Sequence, residues 1–504
     1  MNRRVAIPEL MTEGAAPRYE QIAAAFCRAI ETGELRPNDR LPTVRSLASE
    51  LNVSLKTATA AYKFLTQKGW TRGEIGRGTF VGERREEVVG KRLSAATVGG
   101  NRRPQRKSPW RRRTLANLVD RLRSAYPEAA NCSFGGPDGS LLPIKLIKRH
   151  WRTACDSLDG QALQYQTADP IEELSAILPA RLGRDGIPAN AADLTIGTSA
   201  QQLIGLAVEV VRRLHNHGEA VLAVEQPGYS TMFDTWDRAS VRMVGFEMNE
   251  DGGSLESLES ALQAGANAVL FTPRAQNPTG CSWTPQRLRA LGDLLHRHPG
   301  VVVVEDDHFG EVSEAGGGSL LADTRLEERV IYLRSFSKAI APDLRLCIAA
   351  ARPPLKALLQ EAKSDADGWS SRLLQKVLAG VLQDSELDPW LNRARQTYRV
   401  RRERAVQVLT ATAPSGVDVW PARDGVNLWI HLPTGIDAIE VIERAAALGV
   451  IAAPGEVFYL SPGHHDVIRF TVGSVGTDNV SACTELLVKA ISQSAGAPSK
   501  TIHV

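Results

Sequence analysis

Cysteine is scarce in this 504-residue chain and badly spaced for bridging or for holding a metal. Cys27, Cys132, Cys155, Cys281, Cys347 and Cys483 form no CxxC pair and no metal-like cluster. That excludes a disulfide scaffold or a zinc ribbon, and it leaves free thiols in a reducing cytoplasm as the simplest account. No metal is expected. Long apolar runs are missing as well: none approaches the roughly 18 consecutive residues of a membrane span. The opening MNRRVAIPEL has no apolar stretch of signal-peptide length. A cytoplasmic protein without a membrane partner is therefore expected. With 43% hydrophobic and 23% charged residues, a mostly disordered chain is excluded too. At about 150 residues per domain, the length suits about three folding units.

What the chain does have is a lopsided charge. Residues 1–130 carry 25 Lys and Arg against 13 Asp and Glu, whereas the remaining 374 carry 35 against 44. A net charge of only +3 hides this split. A basic first quarter on an acidic remainder directs any polyanionic partner to the first quarter. A solubilising charge split without a partner is the alternative.

The pattern in that quarter predicts three helices and a hairpin. Ile22, Phe26 and Ile30 recur at i, i+4 and i+8 from Arg18 to Ile30. Gly33 and the turn residues 36–39 follow. Thr43 suits the N-cap of a second helix with Val44, Leu47 and Leu51 inward, and Asn52-Val53 makes a turn. Ser54 caps a third helix that buries Ala58, Ala61, Tyr62 and Leu65. Trp70–Glu74 and Arg77–Val81 then read as two short strands around Ile75-Gly76. Helix-turn-helix logic sends the third helix into the DNA major groove. Candidate DNA contacts are Ser54, Lys56, Thr57, Thr59 and Lys63 on it, Arg45 before it, and Gly76 and Arg77 at the hairpin tip. RYEQIAAAF through GRGTFV resembles the winged-helix domain of GntR-type bacterial transcription regulators. Leu55 departs from that pattern, where the family often has a base-reading arginine. A winged helix used for protein contacts is the competing expectation.

In NRRPQRKSPWRRR, residues 101–113, seven of thirteen are Arg or Lys and none is acidic. Residues 83–130 are expected to be a basic flexible linker, with a short helix possible over 115–124. The run either adds non-specific DNA affinity by counterion release or is a plain tether.

From 131 onward, apolar runs alternate with helical patterns: AVLAVE (220–225), AVLFT (268–272), VVVVED (301–306) and VIYLRS (330–335). Such runs indicate a buried, mostly parallel sheet, and they end in polar residues where open α/β sheets place ligands. Lys338 follows Ser335-Phe336-Ser337, with Arg345 seven residues on. A lysine amine is what an aldehyde cofactor needs, and hydroxyls, backbone N–H groups and an arginine fork are what its phosphate needs. Asp306 can hold a pyridinium nitrogen protonated. Asn277 can bond a phenolic oxygen, Tyr229 can stack on a ring, and Thr198-Ser199-Ala200-Gln201 opens a helix suited to phosphate.

This ordered set, with Asp306 and Lys338 separated by 32 residues, resembles fold-type I aminotransferases. The resemblance implies pyridoxal 5'-phosphate as cofactor, its Schiff base on Lys338, Asp306 on the pyridinium and Asn277 near the phenolic oxygen. It places Ser199, Ala200, Gln201, Ser335, Ser337 and Arg345 around the phosphate. It gives Arg469, with Asn277, to the substrate or effector, and sends Tyr165 to the neighbouring subunit's phosphate. His308 stands where the family has a tyrosine on the phenolic oxygen, and Asn427 where many relatives have histidine. The fold class implied is an α/β body with a mostly parallel seven-stranded sheet and a small α+β domain, carrying an N-terminal winged helix-turn-helix. The domains are then 1–82 (head), 83–130 (linker) and 131–504 (body, with a small subdomain over about 390–495).

A GntR-like head on such a body resembles MocR/GabR-type regulators, as do SFSKAIAPDLRLCIAA and FGGPDGSLLP. That implies a head-to-tail homodimer that binds operator DNA and senses pyridoxal phosphate or an amino compound. The alternative is a working aminotransferase with an accessory DNA-binding head.

Overall fold

The structure, a computed structural model, describes residues 18–31, 35, 39–67, 70–74, 78–81, 110–160, 163–215, 218–239 and 241–495. The chain divides into two compact units, Met1–Arg103 and Pro104–Val504.

In the first unit α1 (Arg18–Glu31), α2 (Val44–Glu50) and α3 (Leu55–Gln67) precede an antiparallel hairpin, β1 (Thr71–Glu74) with β2 (Gly78–Val81). Both expected N-caps form: Thr43 Oγ1 accepts from the Ser46 N–H and Ser54 Oγ from the Thr57 N–H, each at 3.1 Å. Each satisfies an N–H that the first helical turn leaves open. Asn52, at φ +49°, turns the chain between α2 and α3. Ile22, Phe26, Leu47, Ala58, Ala61, Tyr62, Leu65 and Val81 form the core. Gly76 and Arg77 lie outside the described residues.

The second unit begins with α4 (Trp110–Ala125), and here the expected linker needs correction. The short helix expected over 115–124 is present, but it runs over 110–125 and is docked rather than tethered: Leu118 and Leu122 join the apolar core of the small subdomain beside Leu428 and Val441. Arg111, read as part of a solvated basic run, is 1% exposed. The boundary errs because composition marks charge, while the stripe Leu115, Leu118 and Leu122 marks burial.

The large sheet has eight strands: β3 (Leu194–Gly197), β4 (Val221–Gln226), β5 (Arg242–Asn249), β6 (Gly252–Gly253), β7 (Ala268–Phe271), β8 (Val302–Asp307), β9 (Val330–Ser335) and β10 (Cys347–Ala351). Their order is β3-β10-β9-β8-β7-β4-β5-β6. The pairs from β9 through β5 are parallel, β10 is antiparallel to both its neighbours, and the two-residue β6 is an antiparallel addition at the edge. Both faces are covered, so successive residues enter different cores. Val303 and Tyr332 pack on one side, while Val302, Val304, Ile331 and Leu333 pack on the other. This is why these strands read as unbroken apolar runs.

Two helices matter for the site, α5 (Ala200–Leu214) directly after β3 and α6 (Ser230–Ala239) directly after β4. In the small subdomain β11 (Asp418–Val419), β12 (Asn427–His431), β13 (Ala453–Pro454) and β14 (Val467–Thr471) form an antiparallel sheet in the order β11-β12-β14-β13. No helix among the described residues is long and apolar enough to cross a membrane.

Candidate functional site: a pocket at the strand ends

Register brings the sequence candidates together. Ser335 at the end of β9 pairs with Cys347 on β10, which pairs with Gly197 at the end of β3. Because β10 runs against its neighbours, its start lies at the same sheet edge as their ends. Arg345, just before β10, and Ser199, just after β3, are thereby delivered to one place. The pocket there is lined by Ser199, Ala200, Gln201, Tyr229, Asn277, Asp306, His308, Ser335, Ser337, Lys338 and Arg345.

One wall suits a phosphate. Ser199 caps α5 by accepting from the Gln202 N–H at 3.1 Å, and Thr198 N–H donates to Gln202 Oε1 at 2.7 Å. The N–H groups of Ala200 and Gln201 lie in the open first turn of this fifteen-residue helix, at its positive end. Ser335, Ser337 and Arg345 complete the wall. Arg345 has φ +51°, a left-handed conformation costly for a side chain of this size and one that the surrounding loop imposes.

Deeper in, Lys338 Nζ donates to the Gly135 carbonyl at 2.7 Å. Burial and the nearby Arg469 guanidinium push its amine down to about 8, against the pull of Asp306. Burial and the neighbouring Asp307 push the Asp306 carboxyl up to about 7, against the pull of Lys338. Asp306 Oδ1 is buried without a hydrogen-bond partner. A buried orphan acceptor is costly unless a donor arrives, and the ring N–H of a pyridinium is such a donor. The residues therefore fit pyridoxal phosphate: Lys338 would carry it, Asp306 would face its nitrogen, and the α5 wall would hold its phosphate. When bound, this cofactor supplies an electron sink to an attached amine.

His308 lines the same pocket, and burial together with the Lys338 charge pushes its imidazole down to about 4. It is neutral at pH 7, with one ring N–H to donate. Arg469 is almost fully buried. It donates to Asn277 Oδ1 at 3.0 Å and to the Ser133 carbonyl, and lies 4.6 Å over the Phe458 ring. Burial lowers it to about 10, so it stays charged at neutral pH. Asn427 lines the pocket too, with Oδ1 buried and unpartnered.

The loops are fixed from behind. Buried Gln276 donates to the Pro227 carbonyl at 2.8 Å and to Glu225 Oε2 at 3.2 Å, which ties the Asn277 loop to the Tyr229 loop. Tyr165 is apart from the pocket: its ring is 87% exposed and meets Trp369 edge-on at 5.4 Å.

Sequence reasoning missed the Gly135 carbonyl, Thr272 and Phe309, which also line the pocket. The FGGPDGS motif carried a signal for Gly135, and Thr272 is the polar end of the run AVLFT; nothing local marked Phe309. On the head, Arg45, Ser54, Lys56, Thr59 and Lys63 are exposed and Thr57 is half-buried, so the candidate DNA face is free in the first unit. Thr59 Oγ1 donates to the Leu55 carbonyl at 2.8 Å, and Leu55 itself is 54% exposed.

Fold and pocket together define an aminotransferase-like body, and the first unit a winged helix. Residues 136–485 match the family "Aminotransferase class I and II", and residues 18–81 match "Bacterial regulatory proteins, gntR family". The chain belongs to the class I and II aminotransferase family, in the MocR/GabR-type arrangement that adds a GntR head. It is 31% identical over 455 residues to the vitamin B6 salvage pathway transcriptional repressor PtsJ of Salmonella typhimurium, covering 90% of this chain and 93% of that protein. It is 26% identical to the probable rhizopine catabolism regulatory protein MocR of Rhizobium meliloti, covering 92% and 91%. Among solved structures, the kynurenine aminotransferase of Pyrococcus horikoshii, in complex with PMP, superposes with a TM-score of 0.68 at 25% identity, covering 76% of this chain and 95% of that one.

Proposed function

We propose that this protein is a cytoplasmic, homodimeric transcriptional regulator that holds pyridoxal phosphate on Lys338 and binds operator DNA through α3. One observation carries the reading: a single chain joins a basic helix-turn-helix to a pocket with a buried amine, an orphaned carboxylate oxygen and an open helix N-terminus. The effector is pyridoxal phosphate itself or a small amino compound bound to it. The full-length likeness to a vitamin B6 salvage repressor favours the cofactor as signal. Exposed Tyr165 favours a dimer in which it reaches the neighbouring subunit's phosphate, and the MocR/GabR-type arrangement favours a head-to-tail order.

A working aminotransferase is the second reading, supported by the unbroken set Lys338, Asp306, Asn277 and Arg469. The test is DNA affinity of the full chain, on a duplex enriched from a random-sequence pool, with and without pyridoxal phosphate. The expected change is about 5-fold or more, the low end of ordinary coupling. Spectra with amino compounds and then 2-oxo acids separate the two readings. Repeated cycling between the aldehyde and amine forms of the cofactor, with unchanged DNA affinity, makes the enzyme the correct reading.

The head yields its own prediction. Exposed Lys56 is assigned to phosphate, so Lys56→Ala should weaken binding equally on the enriched duplex and on unrelated DNA. The slope of log affinity against log salt should fall by about one ion. Anisotropy titrations at several salt concentrations check this. A loss confined to the enriched duplex would make Lys56 a base reader.

A further inference from the structure

The basic run 101–113 contains an arginine that is not solvated. Arg111, in the first turn of α4, has all three of its guanidinium nitrogens hydrogen-bonded. Nη1 meets Asp234 Oδ1 at 3.1 Å and Asp237 Oδ2 at 2.8 Å; Nε donates to the Tyr459 carbonyl at 2.8 Å and Nη2 to the Leu460 carbonyl at 2.6 Å. The guanidinium also lies 5.4 Å over the Phe233 ring. Next to it, the Arg112 N–H donates to Asp234 Oδ2 at 2.8 Å and Arg112 Nη2 to the Thr231 carbonyl at 3.0 Å. Leucines at 118 and 122 already dock α4 on the small subdomain. Burying a guanidinium between two aspartates is an expensive way to add to that.

Of the two segments that Arg111 grips, one follows a pocket wall and the other lies beneath Arg469, which donates to pocket-lining Asn277. Asp234 and Asp237 lie on α6, which starts at the residue after pocket-lining Tyr229. Tyr459 and Leu460 follow Phe458, the ring beneath Arg469. These segments are joined to each other, since the Gly228 N–H donates to the Phe458 carbonyl at 2.8 Å. On the N-terminal side of Arg111, the chain continues through residues 82–109 to the head.

We propose that Arg111 is the positioning residue that couples the pocket to the DNA-binding head, by clamping the first turn of α4 to the Tyr229 wall and to the Phe458 segment together. A ligand that shifts either segment moves the acceptors of one guanidinium, and with them the first turn of α4, the described part of the second unit nearest the head in sequence. This rests on the regulator reading above, but it concerns residues that neither the cofactor nor DNA touches.

Arg111→Lys tests it in the full chain. Lysine keeps the charge between the two aspartates but lacks the fork that also holds both carbonyls. Two readouts are taken, with pyridoxal phosphate as the probe: amide hydrogen exchange over 110–125, and affinity for the enriched duplex. In the native chain the cofactor should change both. In R111K, cofactor affinity by absorbance titration should stay within about 3-fold of native. The exchange difference should vanish, and the DNA effect of about 5-fold or more should fall below about 2-fold. A merely structural arginine would lower the melting temperature and leave both cofactor-dependent differences intact, and that result overturns the proposal. If R111K does not fold, Asp237→Asn replaces it, because it loosens the same clamp and keeps buried Asp234; the same pattern is expected, and its absence overturns the proposal equally. A native chain whose DNA affinity ignores the cofactor refutes the regulator reading. The exchange readout still decides whether Arg111 links pocket to helix.

Discussion

Replacing Lys338 by alanine is expected to abolish the visible absorbance band that pyridoxal phosphate develops in the native protein, and with it any cofactor-dependent change in DNA affinity. The pocket offers one buried amine, and its environment prepares it. Burial and the Arg469 charge lower Lys338 to about 8, so a useful fraction is neutral and nucleophilic near pH 7.5. Alanine removes that amine and leaves the α5 N-terminus, Ser335, Ser337 and Arg345 in place. Weak binding through the phosphate should therefore persist, at a cost of about 10-fold or more in affinity, which is at least roughly 1.4 kcal/mol. DNA binding without cofactor should be unchanged, because Lys338 belongs to the second unit. Absorbance and anisotropy titrations of the two proteins side by side decide it. A Lys338→Ala protein that keeps the band would move the attachment point elsewhere and sink the assignment.

How much of this was readable in advance depended on whether the signal was local. Thr43 and Ser54 were legible as caps because a cap is set by its own first turn. The ends of β4, β7, β8 and β9 were legible because doubly covered strands leave long apolar runs bounded by polar residues. β3, with LTIG, and β10, with CIAAA, escaped notice: β3 ends in glycine after three residues, and the alanines of β10 carry little strand signal. Yet it is the antiparallel course of β10 that delivers Arg345 to the pocket. Arg111 was misread for a different reason. A charge run in sequence looks solvated, and only Asp234 and Asp237, more than 120 positions away, reveal that one of its members is paired and buried. His308 could be placed at the pocket by motif position, but its neutrality comes from burial beside Lys338, which no motif encodes.

The charge cluster behind the pocket was also invisible from sequence, and it supports the largest expected effect on stability. Asp307, next to Asp306 on β8, is 1% exposed. It accepts from Arg274 Nε at 3.2 Å, from Arg334 Nε at 3.1 Å, from the Gly310 N–H at 3.1 Å and from the Tyr332 hydroxyl. Both arginines are buried, and their only other carboxylate in the cluster is Asp185, which is partly open to solvent. Despite its burial, the arginine charges hold Asp307 far below the usual carboxylate range. Removing one member of such a cluster strands the others, so Asp307→Ala should cost about 3–5 kcal/mol of the body's stability. Asp307→Asn, which keeps the shape and some hydrogen bonds, should cost less. The pH dependence follows from the sign of the shift. A depressed carboxylate contributes stability that is present above its unfolded value of about 4 and is lost as pH falls through the folded one. The gap between native protein and Asp307→Ala should thus close in acid. It should also narrow as pH rises towards 7, because Asp307 adds to burial in raising Asp306 and the native protein alone bears that added cost. Denaturant unfolding of both proteins at three pH values measures it, and coincident midpoints at pH 7 would mean that the cluster is not what holds β8. The pocket should register the change too, because the main chain of β8 that Asp307 anchors also presents Asp306. Cofactor affinity should fall in Asp307→Ala even where the protein remains folded, although residue 307 does not line the pocket.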